Sequence, residues 1–117
     1  MKEVYVVSCC RTAVGSFGGS LKDVPAAELG AVVVKEALNR ACVKPEQVDE
    51  LMFGCVLTSG LGQNVARQVG VKAGLPYSVP AYTVGMVCGS GMKSVIEAAR
   101  AILCGDAEVI VAGGTEN

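Results

Sequence analysis

Val79-Pro80-Ala81-Tyr82-Thr83-Val84 runs into Gly85-Met86-Val87-Cys88-Gly89-Ser90-Gly91, then into Met92 to Leu103, and after Gly105 into Val109-Ile110-Val111-Ala112. The first segment reads as a weak strand, with Pro80 near its start favouring an edge or interface position. Met92, Val95, Ile96, Ala99, Ile102 and Leu103 recur at the three-to-four spacing of a helix, and Gly105 supplies the stop. Val109 to Ala112 is a short apolar run entering Gly113-Gly114, as expected of a buried strand. Strand, tight turn, helix and strand in that order predict a parallel crossover unit.

The rest of the chain repeats the alternation. Val4 to Cys9 is a continuous, β-branched apolar run that predicts a strand buried on both faces. Arg11 to Val24 is a loop marked by Gly15, Gly18, Gly19 and Ser20. Pro25 opens a helix to about Ala41, with Glu28 in its first turn and a broad apolar face of Leu29, Val33, Val34, Ala37, Leu38 and Ala41. Lys44-Pro45-Glu46 breaks that pattern, and Leu51 to Leu57 predicts a second buried strand. Thr58 to Gln63 is a glycine-rich connection, followed by a helix from about Val65 to Ala73 that ends at Gly74. The order β-α-β-α-β-α-β, with nearly continuous apolar strands, predicts a layered α/β fold on a mainly parallel sheet. Residues 1–117 read as part of one domain, without internal repeat or low-complexity linker.

Composition narrows the function classes. Ten basic and eleven acidic residues leave a formal net charge of −1, which gives no footprint for nucleic acid or an anionic membrane. Aromatics are 4% and tryptophan is absent, which weakens any base-stacking role. No apolar run reaches the roughly 20 residues of a membrane helix. The chain therefore reads as soluble and cytoplasmic. Histidine is absent, which removes the usual general base and the commonest metal ligand.

Six cysteines, Cys9, Cys10, Cys42, Cys55, Cys88 and Cys104, show no Cys-x-x-Cys spacing of a zinc or redox site. Five of them are expected to be small buried hydrophobes. Cys88 differs, because it lies on a glycine-flanked turn at a helix N-terminus. Unpaired N–H groups and the helix dipole there favour an anion, and the thiolate is the nucleophilic form of cysteine. The same amides suit an oxyanion formed when an acyl group is attacked, which is the logic of a nucleophile elbow with cysteine in place of serine. On this motif alone, a phosphate-type anion site or a plain turn around a buried cysteine fits equally well. The glycines at 15–19 and 60–62 do not follow a strand with dinucleotide-site spacing.

Several stretches, taken together, carry a resemblance. They are Arg11-Thr12-Ala13-Val14-Gly15-Ser16-Phe17-Gly18-Gly19, Gly60-Leu61-Gly62-Gln63-Asn64 with Ala66-Arg67-Gln68, and Val87-Cys88-Gly89-Ser90-Gly91. Gly105-Asp106-Ala107 and Ala112-Gly113-Gly114-Thr115-Glu116-Asn117 continue it. In this order, over all 117 residues, the chain resembles the N-terminal part of a thiolase, the acetyl-CoA acetyltransferase family. The resemblance implies a thiolase-like layered α/β fold and an acyltransferase of fatty acid metabolism. It implies that Cys88 attacks the thioester of an acyl-CoA, releases coenzyme A and holds the acyl group. The carbanion of a second acetyl-CoA then attacks the acyl-enzyme, giving acetoacetyl-CoA. The reverse reaction cleaves a 3-ketoacyl-CoA. Coenzyme A thioesters are then substrates, with no separate cofactor and no metal. The complete protein is expected to be a homodimer or homotetramer, with the third strand and the Gly62-Gln63-Asn64 region near the subunit contact.

Two departures accompany the match. Gly85 and Met86 stand where many thiolases have an asparagine and a lysine. The activating histidine, the asparagine-containing oxyanion motif and the second, acid/base cysteine of the family match no position here. With the last strand left uncapped after Gly114, the chain reads as an incomplete N-terminal half that does not turn over alone. The alternatives are an inactive thiolase fragment, a subunit that needs a partner, and a ketoacyl-synthase-type condensing enzyme. The matches at Arg11 to Gly19 and Gly113 to Asn117 favour thiolase over the last.

Overall fold

The computed structural model describes residues 2–117. Helix α1 (Ala26–Ala41) follows Pro25, whose φ of −56° is already helical. It stops where Cys42 turns left-handed at φ 54° and gives its N–H to the Leu38 and Asn39 carbonyls. A short 3-10 turn (Pro45–Gln47) leads into strand β1 (Glu50–Gly54). Helix α2 (Val65–Ala73) is capped by the Asn64 side chain, which accepts from the Arg67 amide at 3.0 Å, and ends at Gly74 with φ 88°. Strand β2 (Ala81–Val84) precedes α3 (Ser90–Cys104), which Gly105 ends in the left-handed region, and β3 (Ile110–Gly114) completes the sheet.

The three strands are parallel in the order β2-β1-β3, with Leu51 opposite both Ala81 and Val111. The crossovers β1-α2-β2 and β2-α3-β3 run in opposite directions across the sheet. Right-handed connections therefore place α2 and α3 on opposite faces. Side-chain alternation along β1 agrees. The Phe53 ring lies against Gly30 of α1, and Leu51 lies against Gly70 of α2, whereas Gly54 faces the first turn of α3. The main core lies between the sheet and the α1–α2 layer, with Val34, Leu38, Leu51, Phe53, Val65 and Val69 among its members. No helix among the described residues is long and apolar enough to cross a membrane.

Boundaries shift from the sequence reading at all three strands, β3 running Ile110–Gly114 where Val109 to Ala112 is expected. β2 starts at Ala81 because the Pro80 carbonyl already accepts from the Leu51 amide and Pro80 has no N–H to give; as expected, the strand is at an edge. β1 ends at Gly54, where the chain bends away.

One predicted strand is absent. Val4 to Cys9 forms no ladder, so the observed order is α-β-α-β-α-β. Val6 and Val7 are 80% and 73% exposed instead of buried on both faces. Both edges of central β1 are already taken, so only an outer edge remained for this run. The run instead lies along α1, where Ser8 Oγ donates to the Ala37 carbonyl, Cys10 Sγ to that of Val33, and Arg40 reaches the Cys9 carbonyl. An open groove of about 880 Å³, lined by Val6, Cys10, Val33, Phe53 and Val111, separates it from β3.

The second difference concerns α3. Its residues nearest the sheet are Ser90, Ser94 and Ala98, and the apolar stripe points outward, with Met92 73% exposed and Val95, Ile96 and Leu103 also exposed. The helix approaches the strands too closely for large side chains. A Cβ built on Gly54 would lie 2.5 Å from the Ser90 carbonyl carbon and 2.6 Å from the Gly91 nitrogen. Ser94 Oγ, fully buried, lies 2.8 Å from the Gly113 carbonyl and 2.6 Å from that of Gly91.

Candidate active site

Parallel strands bring all their carboxyl ends to one edge of the sheet, the edge where open α/β sheets build their sites. Three exits meet there: Cys55 to Leu57 after β1, Gly85 to Gly89 after β2, and Thr115 to Asn117 after β3. Their mutual hydrogen bonds hold them together. The Cys55 amide donates to the Val84 carbonyl at 3.2 Å, and the Thr115 amide to that of Gly54 at 2.9 Å.

Cys88 is exposed at this edge, two residues before the first helical residue of α3. The turn that presents it is tight: the Gly89 amide donates to the Met86 carbonyl at 3.0 Å, and the Ser90 amide to that of Val87 at 3.1 Å. No carbonyl of the described residues accepts from the Gly91 or Met92 amides, so first-turn N–H groups remain for an anion beside the thiol. Val87 has φ 47°, a conformation that β-branched residues avoid. Beneath it, the Ser90 hydroxyl accepts from the Met86 amide and donates to the Val87 carbonyl, both at 2.7 Å. A side chain on Gly85 would meet nothing within 4 Å, so that departure from the family pattern disturbs no packing.

Glu116 organises the neighbouring exit. Its carboxylate accepts from the Val56 and Leu57 amides at 2.8 and 2.9 Å, tying the end of β1 to the end of β3. The Cys55 thiol lies 4.0 Å from the same carboxylate. Burial first, and then the Glu116 charge, push that thiol up from its ordinary range, which disfavours the thiolate, the nucleophilic form.

The other cysteines correct the sequence reading. Only Cys55 is buried; Cys9, Cys42 and Cys104 are exposed, and Cys10 is half-buried. Apolar neighbours in sequence were a poor guide because these four lie at element ends or along the outside of α1. Cys42, for instance, takes the left-handed C-terminal position of α1 that glycine usually fills. Among the described residues, no three Cys, Asp or Glu side chains are placed to hold a metal ion.

The glycine-rich loops serve the scaffold. Gln68 Nε2 donates to the Leu61 and Gln63 carbonyls, at 2.7 and 2.9 Å, and so shapes the 58–64 connection. Asn64 spans the helix and the edge strand, donating to the Ala81 carbonyl at 3.0 Å. Asn117 Nδ2 donates to the Leu21 carbonyl at 2.7 Å, docking the 11–24 loop against the end of β3. The holding roles of Ser90 and Glu116 emerge only in the structure; in sequence both residues stand in family-matching stretches, and Ser90 also belongs to a repetition of small residues at 90, 94 and 98.

The family model described as thiolase, N-terminal domain, matches residues 4–117. The chain belongs to the thiolase family. An acetyl-CoA acetyltransferase of Cupriavidus necator is 64% identical over 117 residues, all of this chain and 30% of that protein. The mouse cytosolic acetyl-CoA acetyltransferase is 56% identical over 114 residues, 97% of this chain and 29% of that protein. A thiolase of Ascaris suum, solved in complex with coenzyme A, superposes with a TM-score of 0.95 at 41% identity, covering 97% of this chain and 30% of that one. The expected α/β thiolase fold is thereby established, apart from the first strand. The chain spans about 30% of the length of the relatives it matches.

Proposed function

We propose that this chain is the nucleophile-bearing part, a truncated N-terminal domain, of an acetyl-CoA acetyltransferase. The observation that carries the reading is the exposed Cys88 thiol on a tight turn at the start of α3, with free first-turn amides beside it. The Cys88 thiolate attacks the carbonyl carbon of an acyl-CoA thioester. The tetrahedral oxyanion collapses, the bond to the coenzyme A sulfur breaks, and an acyl-thioester remains on Cys88 while coenzyme A departs as its thiolate, which takes up the proton that Cys88 had earlier released. The acyl group then goes to the carbanion of a second acetyl-CoA, or returns to coenzyme A in thiolysis. Transfer through a covalent intermediate gives ping-pong kinetics. Coenzyme A thioesters serve as substrates, and Cys88 supplies the acyl attachment point without a further cofactor.

The complete enzyme, as proposed, is cytoplasmic and a homodimer or homotetramer. Support for the location comes from relatives named cytosolic in mouse and rat; β2, an edge strand, suits the subunit contact. Intact-mass measurement of the natural protein tests the incomplete-chain part of the proposal: a mass near 11.9 kDa contradicts it. Brief incubation of the complete enzyme with acetyl-CoA, acid quenching and peptide mapping tests the chemistry. An acetyl group on the Cys88 peptide supports the reading, and an unmodified Cys88 refutes it.

A further inference from the structure

We propose that Ser90 is a positioning residue that aims Cys88 by holding Val87 in its left-handed conformation; this rests on the reading of Cys88 as the nucleophile. Val87 is exposed, so packing does not force its backbone to φ 47°. A β-branched residue placed there without restraint relaxes toward negative φ. That rotation would swing the following residue, Cys88, away from the start of α3.

The restraint lies beneath the turn. Ser90 is 3% exposed, and its hydroxyl is used in both directions at 2.7 Å: it accepts from the Met86 amide and donates to the Val87 carbonyl. The two bonds close a ring around Met86 and Val87, fixing the Gly85–Met86 peptide before them and the Val87–Cys88 peptide after them, while the Gly89 amide holds the Met86 carbonyl between. The ring is also anchored from below. Gly54 meets the Ser90 and Gly91 backbone with no room for a side chain, and Gly114 lies against Gly91. Ser90 therefore cannot follow the turn if the turn relaxes. A serine with only a structural role would serve any residue at 87 equally well. A serine that opposes strain at Val87 becomes dispensable once that strain is removed.

Glycine adopts left-handed φ freely, so Val87→Gly supplies the discriminating variant. The experiment uses the complete enzyme in four forms: wild type, Ser90→Ala, Val87→Gly, and the double variant. It reads the rate of Cys88 alkylation by limiting iodoacetamide, which needs no acyl transfer, and measures acetyl transfer in parallel. Ser90→Ala slows alkylation about tenfold or more, and the double variant returns to within about threefold of Val87→Gly. Additive effects of the two changes, or an unchanged rate in Ser90→Ala, would overturn the proposal. If Ser90→Ala alone does not fold, recovery of a folded, alkylatable protein in the double variant supports it, and failure of the double variant overturns it. A wild-type enzyme whose Cys88 alkylates readily, with the coupling present and acetyl transfer absent, breaks the functional reading alone.

Discussion

Cys55 and Cys88 each follow a parallel strand at the same edge of the sheet, yet their surroundings are opposite. Cys55 is 2% exposed and packed into the core, with the Glu116 carboxylate beside it. Cys88 is exposed, and the nearest backbone feature is the amide-bearing start of a 15-residue helix. Burial and a neighbouring negative charge disfavour the Cys55 thiolate, whereas Cys88 is open to a substrate beside the N–H groups of a helix start. The difference teaches that position within a strand-end turn, and not residue type or sequence neighbourhood, decides which cysteine a substrate can reach.

The largest expected effect comes from exchanging the two residues' fates. Cys88→Ser in the complete enzyme should lower acetyl transfer at least about a thousandfold, while Cys55→Ala should leave it within a few-fold. A steady-state assay of both variants breaks the comparison if Cys55→Ala is the more damaging. Next comes Gly54→Ala. Its methyl would meet the Ser90 and Gly91 backbone at 2.5–2.6 Å, so α3 must move. A loss of about 1–3 kcal/mol in denaturant unfolding should accompany slower Cys88 alkylation, and normal values of both would show that the helix has slack.

Glu116→Ala sharpens the other side. Two charge-assisted bonds to the Val56 and Leu57 amides disappear, costing about 1–2 kcal/mol. Cys55 should become detectably alkylated, and continued protection would mean that burial alone guards it. The smallest effect is a pH dependence. The Cys55 thiol is raised in the folded state, so the unfolded chain loses its proton first as pH rises. Stability is therefore full below about pH 8.5, the ordinary thiol value, and declines above it. Cys55→Ala should flatten that alkaline decline in thermal melts, and an unaltered slope would assign the decline to other groups.

How much of this was legible in sequence follows from what each feature depends on. β1, β2 and β3 were readable because short apolar runs bounded by turn residues have few other outcomes. Val4 to Cys9 satisfied the same pattern and failed, since a strand also needs an edge to pair with, and that is a property of the whole sheet. The Cys88 turn was visible through its flanking glycines. The inward face of α3 was not, because close approach selects Ser90, Ser94 and Ala98 while the conspicuous stripe of Met92, Val95, Ile96 and Leu103 turns away. The clamps at Ser90 and Glu116 were equally hidden. A hydroxyl or carboxylate acquires its partners only when the strand ends come together, and Glu116 lies 60 residues from Val56 in sequence.

The most direct test of the account is the acetyl adduct formed when the complete enzyme meets acetyl-CoA and is quenched before a second acceptor is added. The account predicts an acetyl group on the peptide carrying Cys88, lost on addition of coenzyme A, with the Cys55 peptide unmodified. An adduct on Cys55, or transfer that proceeds with Cys88 never acylated, would contradict it.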